Sequence, residues 1–265
     1  MQNSKPDIIT LIGKTIRLFF PKTLYLPILK GRLSGKKWIV RSGNLECLLG
    51  NYEKEKMKLI EEHLSINNSV FDIGAHVGYY TLLASEVVGD EGNVVSFEPL
   101  PSNINYLKQH IKLNSCKNVK IIEAAVSEKE GIAKFNESKN NYQGHLSDNG
   151  NISVFKVSID ELYNKGELPK PDLIKIDVEG EELSVLKGAK SLLTKNSPKI
   201  FLATHNNLAK DIHKKCINYL ISLGYVIKPI GNRDIDNTKE IFAYKKSNKT
   251  KGAEISFVLS MKLNN

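Results

Sequence analysis

Two short segments of the sequence combine an apolar run with an acidic residue near its end. Residues 70–80 (VFDIGAHVGYY) contain a DxGxxxG pattern formed by Asp72, Gly74 and Gly78. Glycines at such positions let the chain turn tightly and let a ligand approach the backbone. Glu98 follows Gly78 by 20 residues and ends the second apolar run, where a carboxylate can accept hydrogen bonds from both hydroxyls of a ribose. Together the two segments predict a binding site for a ribose-containing ligand.

The spacing of the glycines separates two classes of ligand. A dinucleotide-binding turn has the pattern GxGxxG, and the helix that follows it points its N-terminus at a pyrophosphate. Here the glycine spacing differs, and Asp72 places negative charge where a phosphate would be repelled. A ligand with a cationic sulfonium and ammonium suits the pattern better. The pattern therefore favours S-adenosylmethionine over a nicotinamide dinucleotide.

Three further residues could perform acid–base chemistry beside such a ligand. Asp177 ends the fourth predicted strand, Glu179 follows two residues later, and His205 ends the fifth predicted strand, which should be its neighbour. Methyl transfer depends chiefly on alignment and on the exclusion of water. An alcohol acceptor must also lose its proton, either to a base or with the help of a metal. We predict Asp177 or His205 as the proton acceptor, and Glu179 as a third catalytic candidate that could instead simply stabilise the next helix.

The same side chains leave the metal open and indicate the acceptor atom. Oxygen and imidazole ligands suit magnesium or manganese, so a divalent metal could bind there, although no spacing diagnostic of a metal site is present. Methyltransferases that act on base nitrogens commonly carry Asn or Asp followed by Pro-Pro and an aromatic residue at this strand end. Residues 177–180 are instead DVEG. Oxygen is therefore the predicted acceptor atom.

Alternating segments predict the elements that position these residues. From residue 70 on, short runs rich in Val, Ile and Phe alternate with segments of helical periodicity, which is typical of a parallel sheet covered by helices on both faces. Helices are predicted after Pro101, over about 183–193 and over about 208–223, with Gly224 as a left-handed cap. The first five predicted strands are Ser69–Ile73, 94–97, 119–124, Leu173–Ile176 and Lys199–Ala203.

The rest of the chain predicts a terminal hairpin and an insertion. Roughly 45 residues separate the third and fourth strands, too many for a plain connection. The polar loop 136–151 within them is a candidate for recognising the acceptor, with a disordered surface loop as the alternative. The further predicted strands are 131–135, Ile152–Val157, the hairpin 225–230 and 241–244, and 255–261, which has no predicted place in the sheet.

Composition and charge limit the class of protein. A chain of 265 residues, 41% hydrophobic and 25% charged, is typical of a globular protein. Three cysteines without CxxC spacing predict neither disulfides nor a zinc site and suit a cytoplasmic setting. The net charge of +9 favours an anionic partner such as nucleic acid, a phospholipid surface or a phosphorylated glycan. No aromatic RNA-binding motif accompanies the charge, so nucleic acid is disfavoured.

The first thirty residues predict a basic amphipathic segment rather than a membrane span. Lys14 and Arg17 interrupt the apolar residues between Ile8 and Phe20, and no apolar run approaches the roughly 20 residues that a bilayer requires. The segment could make peripheral contact with a membrane or pack on the catalytic domain. The predicted organisation is an N-terminal extension (1–52), a cofactor-binding domain (53–250) with an insertion near 127–170, and a C-terminal tail (251–265).

Several motifs, in this order along the chain, resemble those of FkbM-type methyltransferases. They are GNYE at 50–53, FDIGAHVGYY at 71–80, FEP at 97–99, IDVEG at 176–180 and FLATH at 201–205. The resemblance covers roughly residues 38–246. It implies an α/β, Rossmann-like class I methyltransferase fold, with a mostly parallel seven-stranded sheet, helices on both faces and an N-terminal extension. Family members often have Asn where His76 stands, a departure that leaves the glycine-dependent turn intact.

The resemblance also implies roles for individual residues. Tyr52 and Glu53 would close over the cofactor, and Ala125 and Val126 would border its adenine. The residues expected to bind S-adenosylmethionine are Tyr52, Glu53, Asp72, Gly74, Ala75, His76, Gly78, Glu98, Pro99, Ala125, Val126 and Asp177.

The family is typified by enzymes that methylate hydroxyls of macrolides, sugars and related natural products. The resemblance therefore implies an S-adenosylmethionine-dependent O-methyltransferase that acts on a sugar, glycan or natural-product acceptor. Three alternatives stay open. They are an RNA or protein methyltransferase, favoured by the positive charge; a catalytically inactive binding scaffold; and a nicotinamide dehydrogenase, disfavoured by the lack of GxGxxG.

Overall fold

The computed structural model describes residues 20, 21, 23–137, 144–146, 150–231, 234–236 and 238–246. Most of the predicted amphipathic segment, most of the predicted 136–151 loop and all of the predicted strand 255–261 lie outside these residues. Within the described ranges, no helix is both long enough and apolar enough to cross a membrane.

A mostly parallel sheet of seven strands forms the centre of the molecule. The thirteen described strands are β1 (Tyr25–Pro27), β2 (Lys37–Ile39), β3 (Ser69–Ile73), β4 (Asn93–Phe97), β5 (Val119–Ile122), β6 (Ala125–Val126), β7 (Gly131–Glu137), β8 (Gly144–Leu146), β9 (Ile152–Val157), β10 (Leu173–Ile176), β11 (Lys199–Ala203), β12 (Val226–Pro229) and β13 (Glu240–Tyr244). The strand order in the central sheet is β12-β13-β11-β10-β3-β4-β5, and β13 runs antiparallel to the other six strands. The predicted strands within the described residues and the terminal hairpin are confirmed, with shifts at some ends, whereas the predicted strand 255–261 stays a prediction.

Helices cover both faces of this sheet. Successive strand residues point to opposite faces, so Phe71 packs with the helices Glu182–Gly188, Lys190–Asn196 and Ile212–Ser222 on one side. Val70 packs with the helices Lys54–His63 and Tyr79–Val88 on the other side. The helices are α1 (Leu45–Leu49), α2 (Lys54–His63), α3 (Tyr79–Val88), α4 (Pro101–Leu113), α5 (Ile159–Asn164), α6 (Glu182–Gly188), α7 (Lys190–Asn196) and α8 (Ile212–Ser222). The class I methyltransferase architecture implied by the sequence is therefore present.

Two helix predictions need correction. The single helix predicted over 183–193 is broken at Ala189 into α6 and α7. Asp160 of α5 stabilises the break, because its carboxylate accepts hydrogen bonds from the backbone N–H groups of Ser191 (2.7 Å) and Leu192 (2.9 Å) at the start of α7. The helix predicted from about residue 208 begins only at Ile212, whereas the predicted left-handed glycine after it, Gly224, is confirmed with φ +84°.

The insertion forms a second sheet. Its order is β6-β9-β7-β8, and β8 was not predicted from the sequence. The strand predicted over 119–124 is shorter than expected, because the Ala124 N–H bonds back to the Ile122 carbonyl (2.9 Å) and the chain turns out of the main sheet. Residues 125 and 126 then pair with β9 instead. The insertion therefore begins where the chain leaves β5, the edge strand of the main sheet.

The part of the chain that precedes the main sheet packs into the apolar core between that sheet and helices α2 and α3. Ile28, Leu33 and Trp38 are each 1% exposed and lie in one apolar cluster with α2 and α3. Trp38 stacks on His110 of α4 with ring centroids 4.0 Å apart. The predicted boundary at residue 52 stays a prediction, but Ile28, Leu33 and Trp38 of the extension are packed on the rest of the chain.

The His110 imidazole makes an acid-sensitive contact in this core. Its Nε2 accepts a hydrogen bond from the Ile39 N–H (3.1 Å), and its Nδ1 lies 2.7 Å from the Val77 carbonyl. The ring is therefore neutral with its proton on Nδ1. Burial lowers its pKa to about 4, so the unfolded chain binds the proton more readily, and stability falls as pH drops from about 6.5 towards 4.

We expect this histidine alone to lower the free energy of unfolding by about 3 kcal/mol between pH 7 and pH 4. Urea denaturation of wild type and His110→Gln at both pH values measures the effect, since the variant should be less stable at pH 7 but lose less stability on acidification. The same acid loss in both proteins would contradict the prediction.

Candidate functional site

The predicted catalytic residues converge at the carboxyl ends of neighbouring parallel strands. β10 lies between β3 and β11, and Asp177 and His205 come just after β10 and β11. The His205 Nε2 atom lies 3.6 Å from Asp177 Oδ1 and 3.6 Å from Glu179 Oε2. All three side chains are partly exposed, between 20% and 27%, so they can be reached by a substrate.

A buried glutamate that sequence analysis missed orients the histidine. Glu182, the first residue of α6, is fully buried, and its Oε1 lies 2.6 Å from His205 Nδ1. The same oxygen accepts a hydrogen bond from the Gly180 N–H (3.0 Å). Nothing in the local sequence distinguishes Glu182 from the acidic residues before it. Only the packing of α6 against the end of β11 selects it.

The surroundings shift the pKa values of His205 and Asp177 in opposite directions. Burial lowers the pKa of His205, but the hydrogen bond that its ring donates to Glu182 and the charges of Asp177 and Glu179 outweigh burial, and the pKa is raised overall. Burial raises the pKa of Asp177, but the positive charges of Lys175 and Lys56, together with the two neighbouring histidines, outweigh it, and this pKa is lowered. His205 is therefore the stronger base of the two candidates.

Lys56 on α2 is a second residue that sequence analysis missed. Its side chain is only 4% exposed, and its Nζ lies 2.8 Å from Glu240, 3.2 Å from Glu53 and 3.8 Å from Asp177. Burial lowers its pKa, but these three carboxylates outweigh that effect and raise the pKa overall, so the ammonium stays charged. Lys56 thereby joins α2, the end of β10 and the start of β13.

Tyr52 and Glu53 lie beside the start of α3, the helix that follows the DxGxxxG turn. The Tyr80 hydroxyl donates a hydrogen bond to Glu53, and the ring centroids of Tyr52 and Tyr79 are 5.4 Å apart. Glu53 adopts a left-handed backbone (φ +41°). The role of both residues in closing over a cofactor stays a prediction.

The DxGxxxG turn is held against the end of β10. Gly74 has φ +76°, and a Cβ atom there would lie 1.9 Å from the Asp177 carbonyl oxygen, so only glycine fits. Gly78 also has a positive φ, and a Cβ there would contact Leu107 at 2.5 Å. The glycine pattern therefore reflects two close approaches within the fold.

The charge of Asp72 is compensated inside the protein. Asp72 is 1% exposed; its Oδ1 lies 3.1 Å from Lys175 Nζ, and its Oδ2 accepts a hydrogen bond from the Thr81 hydroxyl (2.7 Å). Lys175 also donates to the Gly74 carbonyl (2.7 Å). Asp72 thus supports the turn through Lys175, and the negative potential expected of it is largely neutralised.

Glu98 directly follows β4 and lies next to this turn, at the strand end where the sequence predicted it. Its side chain accepts hydrogen bonds from the His76 N–H (2.8 Å), the Leu100 N–H (3.1 Å) and the Asn103 amide (3.1 Å). Burial raises the pKa of Glu98 and outweighs these hydrogen bonds, which lower it, so the pKa is raised overall. Pro99 lies between Glu98 and Leu100, and the Ala75 N–H donates to the Phe97 carbonyl (3.0 Å). Hydrogen bonds therefore join the glycine turn to the Glu98 carboxylate and to the end of β4.

His76, Ala125 and Val126 complete the predicted set. His76 adopts a left-handed backbone (φ +53°), and its pKa is lowered to about 4, first by burial and then by Lys175. Ala125 and Val126 are buried in β6, and Ala125 packs beside Leu100, two residues after Glu98. Their contact with an adenine stays a prediction.

The part of the chain that the structure describes holds no group of three or more His, Cys, Asp or Glu side chains arranged to bind a metal ion. Asp177, Glu179 and His205 lie close together, but they do not form such a group. The metal question raised by the sequence therefore receives no support from the described residues.

The parallel sheet and the site at its carboxyl edge define a protein with the class I methyltransferase fold. The sequence model of the Methyltransferase FkbM domain matches residues 72–227, more than half of the chain. The chain therefore belongs to the FkbM methyltransferase family.

The chain is also similar to a curated relative and to a solved structure. A curated relative from Haloferax volcanii, the hexuronic acid methyltransferase AglP, is 30% identical over 143 residues, which cover 53% of this chain and 58% of the relative. The crystal structure of the FkbM methyltransferase from Methylobacillus flagellatus KT superposes with a TM-score of 0.50 at 19% identity, covering 68% of this chain and 44% of that one. The chain thus spans about half the length of both proteins.

Proposed function

We propose that the protein is an S-adenosylmethionine-dependent O-methyltransferase that acts on a hydroxyl of a sugar. The observation that carries the proposal is the arrangement of His205. Its Nδ1 faces the buried Glu182, and its Nε2 faces Asp177 at the edge of the sheet where ligands of open α/β folds bind. This is the geometry of a base oriented by a carboxylate.

The residues around the glycine turn fit the cofactor. Gly74 and Gly78 have positive φ angles, and Gly74 brings the backbone close to Asp177. Glu98 follows the next strand, where its carboxylate would accept hydrogen bonds from ribose hydroxyls beside those from the chain. Asp177 and Glu179 remain partly exposed and negative, which suits a sulfonium and an ammonium. This pair, rather than the neutralised Asp72, would supply the attraction.

The residues of the chain would act on the acceptor proton. When bound, S-adenosylmethionine supplies the methyl group: the acceptor oxygen bonds to the methyl carbon, and the carbon–sulfur bond breaks with its electron pair left on sulfur. Neutral His205 accepts the hydroxyl proton at Nε2, and Asp177 stabilises the imidazolium that results. Lys56 keeps Asp177 in place from the other side, with 3.8 Å between Nζ and Oδ2.

A sugar acceptor is supported by the relative named as a hexuronic acid methyltransferase. Such an acid offers both hydroxyl and carboxyl oxygens. Asp177 and Glu179 would repel an ionised carboxylate brought beside His205, whereas a neutral hydroxyl could donate to either of them. We therefore propose a hydroxyl as the methylated group.

Calorimetric titration with S-adenosylmethionine and S-adenosylhomocysteine, with NAD as the control ligand, tests the cofactor. We expect micromolar binding of the first two and none of NAD. Methyl transfer to glucuronic acid and to glucose then tests the acceptor, because a methyl ether survives mild alkali and a methyl ester does not. An alkali-labile product would place the methyl on the carboxyl group, and binding of NAD alone would overturn the proposal.

A further inference from the structure

We propose that Glu182 is a positioning residue for proton transfer, which holds the proton of neutral His205 on Nδ1 so that Nε2 is free to receive the proton of the acceptor. The inference rests on the proposed function, because it assigns His205 as the proton acceptor. It adds a residue that no sequence motif indicated.

The hydrogen-bonding chemistry determines the tautomer. A carboxylate can only accept hydrogen bonds, so the 2.6 Å contact between Glu182 Oε1 and His205 Nδ1 requires a hydrogen on Nδ1. Short contacts of this kind are typical of hydrogen bonds to an ionised acceptor. Neutral imidazole carries one hydrogen on its two ring nitrogens, so Nε2, which faces Asp177 and Glu179, is left with its lone pair.

Burial distinguishes Glu182 from an ordinary acidic residue at a helix start. Acidic side chains stabilise helix N-termini, and a partly exposed one does so at a smaller desolvation cost. Glu181, directly before α6, is partly exposed and already provides such a charge, whereas Glu182 is fully buried. The buried carboxylate is instead oriented by the Gly180 N–H towards His205.

Charged groups from every neighbouring element act on the histidine. Glu182 of α6 and the Asp177–Glu179 pair after β10 face the imidazole directly. Lys56 of α2 acts indirectly, because it lies beside Asp177 Oδ2, whereas the histidine lies beside Asp177 Oδ1. Lys175 and His76 also act on Asp177. The three carboxylates favour the protonated ring, so removing the charge of Glu182 should lower the pKa of His205.

Nuclear magnetic resonance of the histidine ring nitrogens in the full-length protein tests the inference without any activity assay. In wild type we expect neutral His205 with its hydrogen on Nδ1 and a pKa above the ordinary value of about 6.5. Glu182→Gln keeps an acceptor oxygen but loses the charge, so the tautomer should persist while the pKa falls by about one pH unit, a tenfold change in acidity. Glu182→Met removes the acceptor as well, so both tautomers should appear.

Glu181→Gln is the matched control, because it removes one acidic charge at the same helix start and should leave the His205 signals unchanged. In methyl transfer, the acid limb of the kcat/KM profile should move to lower pH in Glu182→Gln and stay in place in Glu181→Gln. A wild-type ring with its hydrogen on Nε2 would overturn the inference even if the Glu182 variants failed to fold. Wild-type protein that transfers no methyl group would instead overturn the proposed function and leave the ring measurements valid.

Discussion

Replacing Lys175 with Met should lower the free energy of unfolding by about 3 to 5 kcal/mol, the usual effect of removing one partner from a buried ion pair. Lys175 is 4% exposed and Asp72 is 1% exposed, so the carboxylate left behind could not reach water. The variant would also lose the hydrogen bond from Nζ to the Gly74 carbonyl. Urea denaturation at pH 7 measures the change.

The double variant Asp72→Asn with Lys175→Met is the matched control for this ion pair. It leaves no buried charge, so it should be clearly more stable than Lys175→Met alone. Equal loss in the single and double variants would show that the packing of the lysine chain, rather than the ion pair, stabilises the turn.

Since the charge of Asp72 is compensated by Lys175, we expect Asp72→Ala to weaken cofactor binding through loss of the glycine turn rather than through loss of negative potential.

Replacing His205 with Gln should reduce kcat by about 10² to 10⁴-fold, the range typical of a general base. The glutamine amide can still donate to Glu182, so the variant should fold, but it cannot accept a proton at neutral pH. Binding of S-adenosylmethionine should change little, because the glycine turn and Glu98 are untouched. Single-turnover methyl transfer and calorimetry separate the two effects.

His213→Gln serves as the matched control for that loss of rate. His213 on α8 is buried, and its ring nitrogens face the Thr204 hydroxyl (2.8 Å) and the Ile235 carbonyl (2.7 Å) rather than the carboxylates of the site. Its replacement should lower stability and leave the chemical step unchanged. If His205→Gln retained more than a tenth of kcat, the proton acceptor would have to be Asp177, and Asp177→Asn would then show the larger loss.

The main sheet followed directly from local sequence patterns. The residues of β3 and β10 form apolar runs because both faces of these strands are buried, and such runs are typical of parallel sheets under helices. The meeting of Asp177 with His205 was also predictable, since neighbouring parallel strands end at one edge. The ends of the helices were less predictable from the sequence, because the break at Ala189 depends on Asp160, a residue on another helix.

The sequence by itself determined the fold class, the glycine turn, the carboxylate at the end of β4 and the cluster at the ends of β10 and β11. Only the tertiary structure decided which charges act on which groups. The Lys56 ammonium lies within 4 Å of the carboxylates of residues 53, 177 and 240. Lys175 neutralises the charge of Asp72, and Glu182 orients the His205 ring. The physical reason is that a periodic pattern shows which face of an element is buried. The partner of a buried charge, by contrast, depends on how elements distant in sequence pack against each other.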